Sequence, residues 1–290
     1  MKLERFKYWE KEKSGEEWEI EPLTFGRFNL VVGRNATCKT RLLKAIARVA
    51  AELSGESRIT RKMRFELETD TRDEGERAEW ARQAQYLPFS EEMNFRSFKA
   101  GRVRHETVAE AFLRGMRIFG ASFEEVVRAR VNEVGYEAVE ISVAEAADAP
   151  ARVEVRQAGR SVTTSLRKLS QAQQRTLTLL TYVTLLERER TPATLLVDDF
   201  AEGLDFESAG RLTNLVLRIG EAAALQFIIT TNDRYVMNLV PLEFWTVLVD
   251  DARTTRVFNY FNSKQKFDDF KFTGLNNFDF FSMDFARHPA

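Results

Sequence analysis

Phe28-Asn29-Leu30-Val31-Val32-Gly33-Arg34-Asn35-Ala36-Thr37-Cys38-Lys39-Thr40 runs from a compact apolar segment through a glycine into a helical pattern that continues to Leu53. Strand, turn and helix in that order let a chain wrap an anion, because successive backbone N–H groups converge where the helix dipoles present their positive end. Gly33 to Thr40 fits the phosphate-loop spacing G-x-x-x-x-G-K-[ST] at every fixed position but one, where Cys38 stands for the second glycine. In that pattern Lys39 neutralises phosphate charge and the Thr40 hydroxyl ligates Mg²⁺, while Gly33, Arg34, Asn35, Ala36, Thr37 and Cys38 form the cradle. A Cβ at position 38 sits where backbone should approach phosphate closely, which lowers the expected affinity or turnover. The Cys38 thiol, beside Lys39 and a helix start, is expected to lean toward thiolate and so toward redox sensitivity.

The same strand character returns in Leu195-Leu196-Val197-Asp198-Asp199 and in Leu225-Gln226-Phe227-Ile228-Ile229. Continuous apolar strands separated by helical patterns, here Ser170 to Arg188 and Glu207 to Glu221, imply a mostly parallel sheet covered on both faces. The expected fold is α/β, of the P-loop NTPase class. A buried strand ending in carboxylates delivers them to the sheet edge where the phosphates lie. Asp198 is placed to support Mg²⁺ through Thr40 or a water, and Asp199 to polarise an attacking water. ATP and Mg²⁺ are the expected ligands.

With these elements in place, the chain resembles an ABC-type nucleotide-binding domain of the SMC-like, AAA-annotated branch of bacterial ATPases. Lys168-Leu169-Ser170-Gln171-Ala172-Gln173-Gln174-Arg175 is similar to the family's L-S-G-G-Q signature. Ala201-Glu202-Gly203-Leu204-Asp205 resembles its D-loop, and Thr230-Thr231-Asn232-Asp233-Arg234 stands where the family carries a switch histidine. The resemblance extends to about Asn262 and lies in the order of the elements. It implies ATP hydrolysis with Asp199, Lys39 and Asn232 in catalytic roles, and further nucleotide contacts from Ser170, Gln173 and Asp205. It also implies an ATP-dependent, head-to-tail homodimer, or a higher homo-oligomer, in which Ser170 of one copy caps the γ-phosphate held by the other. A glutamine that senses Mg²⁺ is implied too, with Gln83 and Gln85 as candidates. Tyr8 or Trp9 is a candidate for stacking adenine, although an aromatic on an N-terminal strand is more often core.

Four departures from the family pattern accumulate: Cys38 for glycine, Asp199 for the catalytic glutamate, Gln171 and Ala172 for the signature glycines, and Asn232 for histidine. A carboxylate withdrawn by ~1 Å can cost on the order of a hundredfold in rate, and asparagine cannot exchange a proton near neutral pH. Slow turnover and a long-lived ATP-bound dimer are the expectation.

Length and composition frame what remains. The 290 residues read as one elaborated domain, with a helical and strand insertion over about 56–160 and a phenylalanine-rich segment over 258–290. Within the insertion, a largely helical region is expected from Asp73 to Val134, then a hairpin from Val139 to Val143 and Val153 to Val155. The net charge of −1 gives no global pull toward polyanions, although Phe95 to Arg104 interleaves cations with aromatics as a nucleic-acid contact would. One cysteine and two histidines leave no material for a cysteine or histidine metal centre. No apolar run approaches the roughly 18 residues of a membrane span, so a cytoplasmic protein without a membrane partner is expected. Fewer than about sixty residues follow Asn232, short of an ordinary nuclease domain; any effector is expected as a separate protein. The resemblance extends to compact ATPases of anti-phage modules, which implies control of a partner toxin or nuclease. A DNA-clamping ATPase of SMC-like repair type and a non-hydrolysing scaffold are the alternatives.

Overall fold

The computed structural model describes residues 2–11, 14–55, 62–70, 74–87, 95–99, 102–146, 149–251 and 253–287. Alternating burial makes β1 (Leu3–Lys11) and β2 (Glu17–Thr24) an antiparallel pair with one face inward. β3 (Phe28–Gly33) is buried at every position and feeds α1 (Lys39–Leu53). The chain continues through β4 (Lys62–Thr69), α2 (Glu74–Gln83), β5 (Ala84–Leu87), β6 (Phe95–Lys99) and β7 (Arg102–Glu106). Next come α3 (Val108–Phe119), α4 (Ala121–Val134), β8 (Ala138–Ala146), β9 (Ala149–Gln157) and β10 (Thr164–Ser165). The remainder is α5 (Gln171–Glu189), β11 (Ala193–Val197), α6 (Phe206–Ala222), β12 (Leu225–Thr230), α7 (Arg234–Leu239), β13 (Trp245–Asp251), β14 (Thr254–Asn259), α8 (Lys264–Lys271) and α9 (Asn277–Ser282).

Eleven strands form one sheet in the order β4-β1-β2-β14-β13-β3-β12-β11-β5-β6-β7, and β10-β9-β8 form a second. The run β13-β3-β12-β11-β5 is parallel; the strands on either side pair antiparallel, except β14 with β2, which is parallel. Side chains of the central strands alternate between two apolar cores. Val31, Leu196 and Ile228 face α1, whereas Leu30, Leu195, Val197, Phe227 and Ile229 face α5 and α6. Gln226, fully buried in β12, ties the N-terminus to this centre: it accepts from Leu3 N at 2.9 Å and donates to Leu3 O at 2.7 Å. Among the described residues, no helix is long and apolar enough to cross a membrane.

One expectation needs correction. Residues 74–134 are not one helical region, because β5, β6 and β7 join the main sheet. β5 has only four residues, all buried, so it shows neither period-two nor helical spacing. The insertion is thus partly built into the core; α3, α4 and the β8–β9 hairpin stand outside the main sheet. The side chains of Phe95 to Arg104, the cation–aromatic stretch, lie outside the described residues.

The phenylalanines of the C-terminal segment mostly turn inward. Phe267, Phe270, Phe280 and Phe285 form a ring cluster, with centroids 4.6 Å apart for Phe267 and Phe280 and 5.1 Å for Phe270 and Phe285. Phe280 also meets Trp245 of β13 edge-on. Phe272 stands outside at 89% exposure. Phe280→Ala is expected to lower unfolding stability by about 3–5 kcal/mol, while Phe272→Ser shifts it by less than about 0.5 kcal/mol. Denaturant midpoints at unchanged slope measure both.

Candidate functional site

The loop after β3 is held by its own atoms. Thr37 Oγ1 donates to Arg34 O at 2.7 Å, and Lys39 Nζ donates to Gly33 O at 2.7 Å and Arg34 O at 3.2 Å. A Cβ on Gly33 would lie 2.2 Å from Thr37 Oγ1, so this glycine is sterically required. Ala36 and Cys38 adopt φ of 67° and 65°, the left-handed region that glycine occupies without strain. The missing glycine therefore leaves the loop geometry in place at a cost in strain. Lys39 is buried, and its pKa is lowered by that burial against the pull of Asp199 and Asp198. For Cys38 the shift runs against the expected lean toward thiolate. Burial raises its pKa and outweighs the opposing influences of Thr255 and Arg41, so the thiol form is favoured.

Across the sheet edge, β11 delivers the carboxylates. Asp198, 2% exposed, accepts from Thr40 Oγ1 at 3.1 Å and Thr230 Oγ1 at 2.7 Å. Asp199 sits at φ 48°, with its N–H donating to Thr230 Oγ1 at 2.8 Å. Its carboxyl pKa is raised, first by burial and then by the charge of Asp198, with Arg175 and Lys39 opposing. Beneath both, the buried Arg175 of α5 donates from Nη2 to the carbonyls of Asp198 and Asp199, the latter at 3.3 Å. Arg175 links the start of α5 to the tip of β11. Its role was hidden in the sequence, because only the fold shows which carbonyls it meets.

A cleft of about 500 Å³ opens over these groups. Asn35, Thr37, Lys39, Thr40, Asp199 and Asn232 line it, and Glu10, Arg41 and Lys44 extend it along α1. Other expected residues lie elsewhere. Ser170 and Gln173 are outside this lining and form a reciprocal cap at the start of α5, both bonds 3.2 Å long. Asp205 caps α6, accepting from Ser208 N at 3.0 Å, a bond that lowers its pKa. Gln85 is buried within β5 between Leu195 and Ser97, and Gln83 donates to Glu79; neither lines the cleft. The segment 88–94 is outside the described residues. Tyr8 is fully buried under Arg48, its pKa pushed up to about 12 mainly by burial, so it belongs to the core. Trp9 points to the opposite face of β1, under Arg64.

Arg34 adds a contact that no spacing rule reveals: its guanidinium pairs with Asp284 of the C-terminal segment at 3.2 Å. The donor set fits a magnesium–nucleotide complex. Thr40 and Asp198 already touch, as ligands of one small octahedral ion would, and phosphates and water commonly complete such a shell. Among the described residues, no three His, Cys, Asp or Glu side chains form a metal site by themselves.

The fold recurs in solved structures. A Smc head bound to the C-winged helix domain of ScpA matches with a TM-score of 0.58 and 13% identity, covering 89% of this chain and 97% of that one. The chain has the fold of an SMC ATPase head. A second head with an extended coiled coil, from Pyrococcus furiosus and bound to the C-terminal domain of ScpA, gives 0.52 at 11% identity over 93% and 99%. No family model matches the chain, and no curated protein matches it by sequence. The SMC-head fold accounts for the α/β class.

The raised Asp199 pKa carries a sign. A carboxyl that protonates more readily folded than unfolded contributes stability at low pH, and loses it as pH rises from the usual aspartate range through the raised value. Asp199→Asn is therefore expected to raise the melting temperature of the nucleotide-free protein at neutral pH and to change it little near about pH 4. Calorimetric scans at the two pH values measure the difference.

Proposed function

We propose that this chain binds Mg²⁺-ATP in the cleft above β3 and β11, pairs with a second copy through the γ-phosphate, and hydrolyses ATP slowly. The observation that carries the reading is the contact between Thr40 and Asp198, 158 residues apart in sequence, above the buried Lys39. Loop backbone and Lys39 would hold the phosphates, and Thr40 with Asp198 would hold the metal, which supplies charge neutralisation when bound. Asp199 is positioned to accept a proton from water.

Pairing is supported by what the cleft lacks within one copy. Ser170 and the N-terminus of α5 are exposed and outside its lining, so a second copy has to bring them to the phosphate. Slow turnover is supported by the short Asp199 carboxylate and by Asn232, which lines the cleft without a titratable proton. The output would be the association state, read by a separate protein. The two similar heads were each solved with a domain of ScpA. Control of a toxin or nuclease is the finer form of the same proposal.

Mass in solution with Mg²⁺-ATP, ADP or no nucleotide tests this, with phosphate release followed in the same samples for wild type, Lys39→Ala and Ser170→Arg. Wild type is expected to self-associate with ATP alone and to turn over well below ~10 per second. Both variants should remain unassociated. A mass indifferent to nucleotide in all three proteins would overturn the switch.

A further inference from the structure

The tip of β11 is gripped from two sides. From β12, Thr230 Oγ1 donates to Asp198 Oδ1 and accepts from Asp199 N, and Thr230 O accepts from Phe200 N at 2.7 Å. From α5, Arg175 takes the carbonyls: its Nη2 donates to Asp198 O and, at 3.3 Å, to Asp199 O. Those two carbonyls belong to the peptides on either side of the Asp199 Cα. One group that binds both therefore sets the direction in which the Asp199 side chain leaves the backbone.

This tip needs holding. Asp199 and Ala201 keep φ of 48° and 63°, conformations that persist in residues with a Cβ where the surroundings over-determine them. Apolar packing between α5 and the tip is incomplete. A cavity of about 20 Å³, room for a water molecule, is lined by Ala172, Arg175 and Thr176 of α5 and by Phe200, Ala201 and Glu202 beyond β11. Arg175, itself 7% exposed, spans from the helix to the tip beside that gap. Ser170 caps the same helix less than two turns earlier and is exposed.

We propose that Arg175 is a positioning residue that couples the two nucleotides of a pair: engagement of Ser170 by the nucleotide of the other copy sets, through α5 and Arg175, the Asp199 carboxylate that serves the chain's own nucleotide. The inference rests on the pairing and hydrolysis proposed above and adds how one reports to the other. A helix is rigid over so short a length, so a shift at its start reaches Arg175 undiminished. A guanidinium passes the shift on, because its N–H groups are fixed in one plane, whereas an ammonium on a flexible stem would let the carbonyls swing. Each captured phosphate thereby acts on hydrolysis at the opposite site.

Turnover and mass in solution with Mg²⁺-ATP, measured on the full chain for wild type, Arg175→Lys, Ser170→Arg and the double variant, test the coupling. Arg175→Lys keeps the buried charge and is expected to lower kcat by about a hundredfold, the scale of an acid misplaced by ~1 Å. KM and ATP-driven association should stay as in wild type, which also shows that the variant is folded. The double variant should turn over no more slowly than Ser170→Arg alone, because both substitutions break one link. Wild-type kcat in Arg175→Lys would overturn the proposal, as would losses that multiply in the double variant. Association and turnover that fall together in Arg175→Lys, with kcat per associated molecule unchanged, would make Arg175 a purely structural residue and overturn it as well. Wild type that pairs with ATP without hydrolysing it leaves pairing intact and overturns the coupling; wild type that does not pair overturns the pairing reading itself, and the coupling with it.

Discussion

The site depends on the parallel register that aligns the ends of β3, β12 and β11. Val31 pairs with Thr230, and Ile229 pairs with Val197, so the residues that follow these strands emerge at one edge. A shift of one residue would turn every side chain of a strand to the other core and carry Asp198 away from Thr40. The register is guarded by burial on both faces, since Val31, Leu196 and Ile228 must meet α1 while their neighbours meet α5 and α6. Hydrophobic packing thus determines where two polar groups meet, although neither group contributes much to the packing.

Strain and unfavourable charge are concentrated at that edge. Ala36, Cys38, Asp199 and Ala201 all hold positive φ, at about 1–2 kcal/mol each for residues with a Cβ. Lys39 is buried, and Asp199 is pressed against a second carboxylate. These costs are offset elsewhere, by the two apolar cores and by the ring cluster around Phe280.

Contacts across the molecule join the site to distant parts of the chain. Arg175 links the α5 helix to the Asp198 and Asp199 carbonyls, and Arg34 links the phosphate loop to Asp284 in the C-terminal segment. The first makes the helix that begins at Ser170 mechanically continuous with the carboxylates. The second places the phenylalanine-rich segment one ion pair away from the phosphate loop, on an otherwise exposed arginine whose pairing is screened by solvent.

Strand β3, the turn from Gly33 into α1, α1 itself, the Asp198–Asp199 tip and the start of α5 were legible in the amino-acid sequence, because each is a local pattern: an apolar run, a spacing or a helix cap. The hairpin of β8 and β9 was legible for the same reason. Residues whose role depends on what lies across the fold were not. β5 is too short to show a period, Tyr8 and Trp9 differ only in which face of β1 they take, and Cys38 owes its raised pKa to burial in the folded chain, against a Thr255 hydroxyl more than two hundred residues away that pulls it down. Local spacing determined that a strand–loop–helix ending in Lys39-Thr40 and a carboxylate-tipped strand exist; only tertiary packing decided that they touch, which aromatic is core, and that Arg41 rests on Trp18. Side-chain burial and partnership come from segments far apart in the chain, and no local pattern encodes them.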